Sequence, residues 1–90
     1  MEISERIPES TVRNEADMGH AILRARRHFG LTQSELGENV RMKQATVSSL
    51  ENGNPGTTLR TLFLALSALD LEIVVRPRSK VKFDDWGSEP

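Results

Sequence analysis

Cysteine is absent from this chain of 90 residues, which excludes a disulfide scaffold, thiolate zinc sites, iron–sulfur clusters and thiol chemistry. The same absence fits a reducing cytoplasm, the compartment expected from the sequence. Long apolar runs are also missing. The longest uncharged stretch, Thr61 to Leu69, is far too short to cross a bilayer, and no basic start followed by an apolar run marks a secretion signal. Neither sign of charge dominates: the net charge of −1 argues against a generic polyanion binder. Histidine is limited to His20 and His28, eight apart on one helical stretch, so their backbones are roughly 12 Å apart and cannot share a metal without further ligands. No Gly-rich phosphate loop, nucleophile elbow or metal-ligand spacing occurs. The expectation is a protein without metal, cofactor or catalysis.

What is present describes one small domain. With 37% apolar and 28% charged residues, the chain can build a single core but not two. So short a chain is only marginally stable alone, and a partner subunit is expected. The near-zero net charge hides a gradient. Residues 1–20 carry five acids against Arg6 and Arg13, whereas residues 21–60 carry Arg24, Arg26, Arg27, Arg41, Lys43 and Arg60 against three acids. A locally positive middle is what matters to a phosphate backbone, because salt screens charges beyond roughly 10 Å. A solvated charged surface is the alternative for any one of these residues.

Residues 1–13 lack sustained periodicity and read as an N-terminal arm. A helix-turn-helix domain is expected over 14–70, a strand over 71–77 and a flexible tail over 78–90. Near Asn14 a helical stripe begins with Met18, Ala21, Ile22, Ala25 and Phe29, and Gly30 ends it. Thr32 and Glu35 form a capping box, with Leu31 and Leu36 at the staple positions around it. This second helix ends near Val40. After a break at Arg41 to Lys43, a third short helix runs from about Gln44 to Glu51, closed by Asn52, Gly53, Asn54 and Pro55. A fourth follows Thr57 and Thr58, with Leu59, Leu62, Phe63, Leu66 and Leu69 as its expected buried face. The period then changes to two: Leu71, Ile73 and Val75 alternate with Glu72, Val74 and Arg76 until Pro77. A lone strand has no partner within a helical chain, and a second copy is the simplest source of one.

Two short helices joined by a tight break form the pattern of a helix-turn-helix. The inward positions are filled by Leu36, Gly37, Val40, Met42, Val47 and Leu50. The outward face of the second helix carries Gln44, Ala45, Ser48 and Ser49. Gln can make two hydrogen bonds to adenine and Lys can meet guanine acceptors in the major groove, while Ala and Thr can lie against a thymine methyl. Lys43 and Gln44 are therefore the leading candidates for base reading, with Ala45, Thr46, Ser48 and Ser49 in support. An ordinary exposed polar helix face is the plain alternative. Candidates for phosphate contact are Gln33 and Ser34 at one helix start, Thr57, Thr58 and Arg60 at another, and Arg24, Arg27 and Arg41 for charge.

The run from Leu31-Thr32-Gln33-Ser34-Glu35-Leu36 through Met42-Lys43-Gln44-Ala45-Thr46-Val47-Ser48-Ser49-Leu50-Glu51-Asn52 resembles the XRE, or lambda-repressor-like, helix-turn-helix proteins. More closely it resembles HipB-type antitoxins, which pair with HipA-type kinase toxins. The resemblance runs from about Asn14 to Pro77. It implies a mostly α fold of four to five helices, with one C-terminal β-strand (Leu71, Ile73, Val74, Val75) pairing across a homodimer. It also implies binding to palindromic operators, neutralisation of the toxin, and Lys43, Gln44, Ala45 and Ser48 against bases. Arg41 departs from the family, which commonly has Gly at this turn; Arg in a left-handed conformation should cost on the order of 1 kcal/mol.

Phe83 and Trp86 stand among Asp84, Asp85 and Glu89. They are candidate anchors for a pocket on the toxin, or else fold back onto the protein's own dimer. The sequence thus supports a dimeric repressor that serves as an antitoxin. A stand-alone regulator and a protein-interaction adaptor without DNA binding are the other readings.

Overall fold

A computed structural model describes residues 7–78, in which four helices follow in order: α1 (Glu15–His28), α2 (Gln33–Val40), α3 (Gln44–Glu51) and α4 (Leu59–Ala68). Their starts follow from local chemistry. The Asn14 side chain accepts from the Asp17 amide, and the Thr58 side chain accepts from the Thr61 amide. At α2 the capping box is complete: Thr32 Oγ1 accepts from the Glu35 amide at 3.0 Å, and Glu35 Oε1 accepts from the Thr32 amide at 2.8 Å.

All four helices end in the same way. Gly30, Arg41, Gly53 and Asp70 take positive φ values of 71°, 58°, 75° and 59°. Beyond each, the next amide reaches back to a carbonyl of the last turn: Leu31 to Arg26, Met42 to Gly37, Asn54 to Ser49 and Leu71 to Leu66, at 2.8–3.1 Å. This is the Schellman closure, which satisfies carbonyls the helix leaves open. Two of the four left-handed positions hold glycine; Arg41 and Asp70 adopt the conformation without that freedom.

The core is drawn from every helix: Ile22 and Ala25 of α1, Leu36 of α2, Val47 and Leu50 of α3, Ala65 and Leu66 of α4, and Leu69 just beyond it. Met42 and Leu31 pack partly buried against it, and so does Ile7 of the arm. Two glycines set the closest approaches. A Cβ on Gly19 would collide with the carbonyls of Leu50 and Glu51, so α1 can lie across the end of α3 only because Gly19 has none. Gly37 is pressed in the same way against the Met42 carbonyl, within the turn between α2 and α3.

Three expectations for the buried stripes are corrected. Phe29 is 48% exposed because α1 ends at His28, and Phe29 is its cap rather than another turn of the stripe. Leu59 and Phe63, 69% and 52% exposed, lie off the face that α4 turns to the core, which is Ala65, Leu66 and Leu69 with Leu62 partly buried. Apolar residues occupy more than one side of α4, so periodicity alone could not choose the inward one.

Residues 71–78 continue without helix, turn or bend, and among the described residues there is no strand pairing. The predicted strand over 71–77 therefore meets no partner among the described residues. Ile73, Val74 and Val75 stay exposed. Among the described residues no helix is long and apolar enough to cross a membrane.

Candidate nucleic-acid interface

The side of α3 that carries Val47 and Leu50 is sunk in the core, and this fixes what the helix presents outward. Lys43, Gln44 and Ala45 are exposed at its beginning. Thr46, Ser48 and Ser49 are half-buried at its flanks. Lys43 is the N-cap residue, its carbonyl accepting from the Thr46 and Val47 amides, and its side chain makes no capping bond.

Behind this ridge lies a polar chain that the sequence did not disclose. Glu51 is 5% exposed, the one buried charged residue among those described. Its carboxylate accepts from Arg26 Nε at 2.5 Å, from Arg26 Nη2 at 3.0 Å and from Gln33 Nε2 at 2.9 Å. Arg26 Nη1 donates to the Leu31 carbonyl at 2.9 Å. The hydrogen bond to Glu51 and its negative charge hold the Arg26 guanidinium above its usual pKa, against the opposing effect of burial. Arg26 therefore stays charged, and the pair is fork-shaped and desolvated, the arrangement in which an ion pair is directional.

The chain continues outward. Gln33 Oε1 accepts from Gln44 Nε2 at 2.5 Å. The orientation of both amides is dictated by chemistry: an ionised carboxylate can only accept, so Gln33 turns its nitrogen to Glu51 and its oxygen to Gln44. Gln44 must then offer nitrogen. One Gln44 N–H and the Gln44 carbonyl oxygen remain free, one donor and one acceptor side by side. That is the pair an adenine edge requires in the major groove. A charge buried under α1 and α3 thus sets the rotamer of the exposed residue best suited to read a base.

The phosphate candidates are dispersed. Ser34 is exposed on the first turn of α2, and Arg60 on the first turn of α4. Thr58 Oγ1 is already used in capping, and Thr57 is half-buried. Arg41 is exposed at the turn between α2 and α3, in the left-handed conformation expected of a family glycine. Arg27 is exposed on α1. Arg24 is likewise exposed on α1, where it lines a groove with residues of the arm and of 70–78. Phe83 and Trp86 lie outside the described residues.

Arg26 and Glu51 were missed because charge reads as surface. A positional signal existed: Arg26 follows Ile22 by four, and Glu51 follows Val47 by four, which puts both on buried stripes. A charged residue on such a stripe in each of two packed helices is the signature of an internal pair.

Two helices crossing at a left-handed turn, the second projecting a polar edge, define a helix-turn-helix protein, and this chain belongs to the helix-turn-helix family (HTH_3), which matches residues 22–75. Within it the chain is similar to antitoxin HipB of Escherichia coli K12, with 40% identity over 58 residues, or 64% of this chain and 66% of that one. HipB of E. coli O6:H1 is 38% identical over 58 residues and is covered to 62% of its length. The matched stretch thus spans a little under two thirds of these relatives. Among solved structures, a HipB–O4 20mer complex aligns with a TM-score of 0.73 at 32% identity, over 79% of this chain and all of that one. A HipA–HipB–O2–O3 complex aligns at 0.72 with 32% identity and the same coverage.

Proposed function

We propose that this protein is a cytoplasmic, sequence-specific DNA-binding repressor that acts as the antitoxin of a type II toxin–antitoxin system. It binds and neutralises a HipA-type kinase toxin, represses its own operon as a homodimer on a palindromic operator, and catalyses no reaction. The observation that carries the reading is the relay from Glu51 through Gln33 to Gln44, which aims a free donor–acceptor pair outward from α3. Gln44 reads adenine, Lys43 guanine, and Ala45 and Thr46 the thymine methyl, with Ser48 and Ser49 beside them. Ser34, Thr57, Thr58, Arg27, Arg41 and Arg60 are the candidates for the phosphates, and Gln33 holds Gln44 in place.

Two further observations support the partners. The exposed apolar residues Leu59, Phe63 and Leu64 of α4, together with Ile73, Val74 and Val75, are what a second copy would cover. The toxin is indicated by the name antitoxin that the relatives carry and by the HipA–HipB–O2–O3 assembly.

The test is binding to the DNA upstream of the protein's own gene, followed by fluorescence anisotropy across a salt series. Specific binding should lose affinity linearly on a log–log plot as phosphate contacts release counterions. Gln44→Ala should cost about 1–3 kcal/mol and relax the preference at one position of each half-site. A wild-type protein with no preference for that DNA over a scrambled duplex would overturn the reading.

A further inference from the structure

Of the four asparagines in the chain, Asn52 alone is followed by glycine. Asn–Gly is the dipeptide most prone to spontaneous deamidation, because glycine has no Cβ to hinder its own nitrogen from closing on the asparagine side chain. The pair stands at the end of α3 for a structural reason. Gly53 takes φ 75°, the left-handed position that closes the helix, and glycine fits it without strain. Asn52 is the C-cap residue and is exposed. The other three asparagines are placed differently. Asn14 uses its side chain as an N-cap and precedes Glu15, and Asn39 lies inside α2 before the branched Val40. Asn54 precedes Pro55, whose nitrogen has no proton to lose.

We propose that Asn52–Gly53 is a site of covalent modification, at which deamidation places a carboxylate beside the base-reading edge of α3. The Gly53 amide, on losing its proton, attacks Asn52 Cγ. The new C–N bond closes a five-membered succinimide, and Nδ2 leaves as ammonia. Solvent water then opens the ring. Attack at Cγ gives aspartate in an unaltered backbone, and attack at the backbone carbonyl gives isoaspartate, with the chain running through Cβ and Cγ. The chemistry is independent of any ligand; its consequence for binding rests on the DNA reading of α3 proposed above.

The fold sets the pace and the effect. The Gly53 amide donates to the Leu50 carbonyl and the Asn54 amide to the Ser49 carbonyl, both at 3.1 Å. Attack requires this closure to open, so the helix end shields the pair while it is formed. Gly53 also rests on α1, where a Cβ would lie 2.9 Å from Ala16 Cα. Isoaspartate adds a backbone methylene at that crowded junction. Aspartate keeps the backbone but sets a negative charge at the C-terminus of α3, where the helix dipole disfavours one. Asn52 Nδ2 lies 3.5 Å from Ser48 Oγ, on the ridge assigned to the bases. A carboxylate there only accepts, so it draws the Ser48 hydroxyl proton toward itself, and its charge repels the phosphates.

The experiment incubates the full chain at mildly alkaline pH and maps aspartate and isoaspartate by peptide mass spectrometry. Asn52 should convert several-fold faster than Asn14 and Asn39, and several-fold faster again in urea, where the helix end is lost. Asn52→Gln, whose longer side chain would have to close a six-membered ring, should stay unmodified at that position and keep its DNA affinity through the same incubation. Asn52→Asp should bind the DNA upstream of the protein's own gene several-fold more weakly than wild type, with the gap shrinking as salt rises. Conversion at Asn52 no faster than at Asn14 and Asn39 in the folded chain overturns the site. Equal rates with and without urea overturn the helix end as its gate. An Asn52→Asp chain with unchanged affinity overturns the effect on binding. A wild-type chain that ignores that DNA overturns the reading of α3 instead, and leaves the mass-spectrometric result standing.

Discussion

Single residues carry two opposing demands in this protein, and Arg41 shows both. Its backbone is left-handed at φ 58° and ψ 48°, where a Cβ is unfavourable, yet it closes α2 and sets the turn into α3. Arg41→Gly should therefore raise the free energy of unfolding by about 0.5–1 kcal/mol, the relief of strain being partly offset by the greater freedom of unfolded glycine. Urea titration at fixed protein concentration measures it, and a lower midpoint would show that the Arg side chain contributes more than its backbone costs. If Arg41 also meets a phosphate, the same variant should bind DNA more weakly and with a shallower salt slope, so stability and affinity would move in opposite directions.

At the level of elements, the buried Arg26–Glu51 pair ties α1 to α3, with side chains only 11% and 2% exposed. Removing one member of such a pair strands the other. Arg26→Ala should destabilise by about 3–5 kcal/mol, a large share of the stability of a small domain. Equilibrium unfolding checks this, and a cost below about 1 kcal/mol would place the pair with exposed ones. The effect should not stop at stability. Glu51 anchors Gln33, and Gln33 anchors Gln44, so variants that remain folded should also lose base discrimination. Helix ends depend much less on such long-range partners, because the caps at Asn14, Thr32 and Thr58 are made within one turn of sequence.

For the whole molecule, the two-fold symmetry of the proposed homodimer would turn the single α3 edge into two. In the proposed repressor the two copies of α3 should stand about 34–36 Å apart, one turn of DNA or a multiple, and hydroxyl-radical footprinting should show half-sites at that spacing. Protection of a single half-site would contradict a two-fold complex. The candidate toxin anchors, Phe83 and Trp86, belong to a different part of the chain, which lies outside the described residues. Deleting residues 79–90 should leave operator affinity unchanged and weaken binding of a HipA-type kinase in calorimetry. Equal affinity with and without the segment would move the toxin contact onto the helical body.

Much of this was written in local sequence. The capping box at Thr32 and Glu35, the break at Arg41 and the outward Gln44 were legible because each depends on residues a turn or less apart, where propensity and hydrogen bonding act directly. The inward face of α4 was not, since Leu59 and Phe63 are as apolar as Leu66 and only the neighbouring helices decide which side is covered. Nor was the anchoring of Gln44: the sequence determined that an amide would stand at the start of α3, but its orientation depends on a carboxylate seven residues on and an arginine two helices back. Only packing that removes Glu51 from water makes that carboxylate select one arrangement of its neighbours, and that step belongs to the tertiary structure.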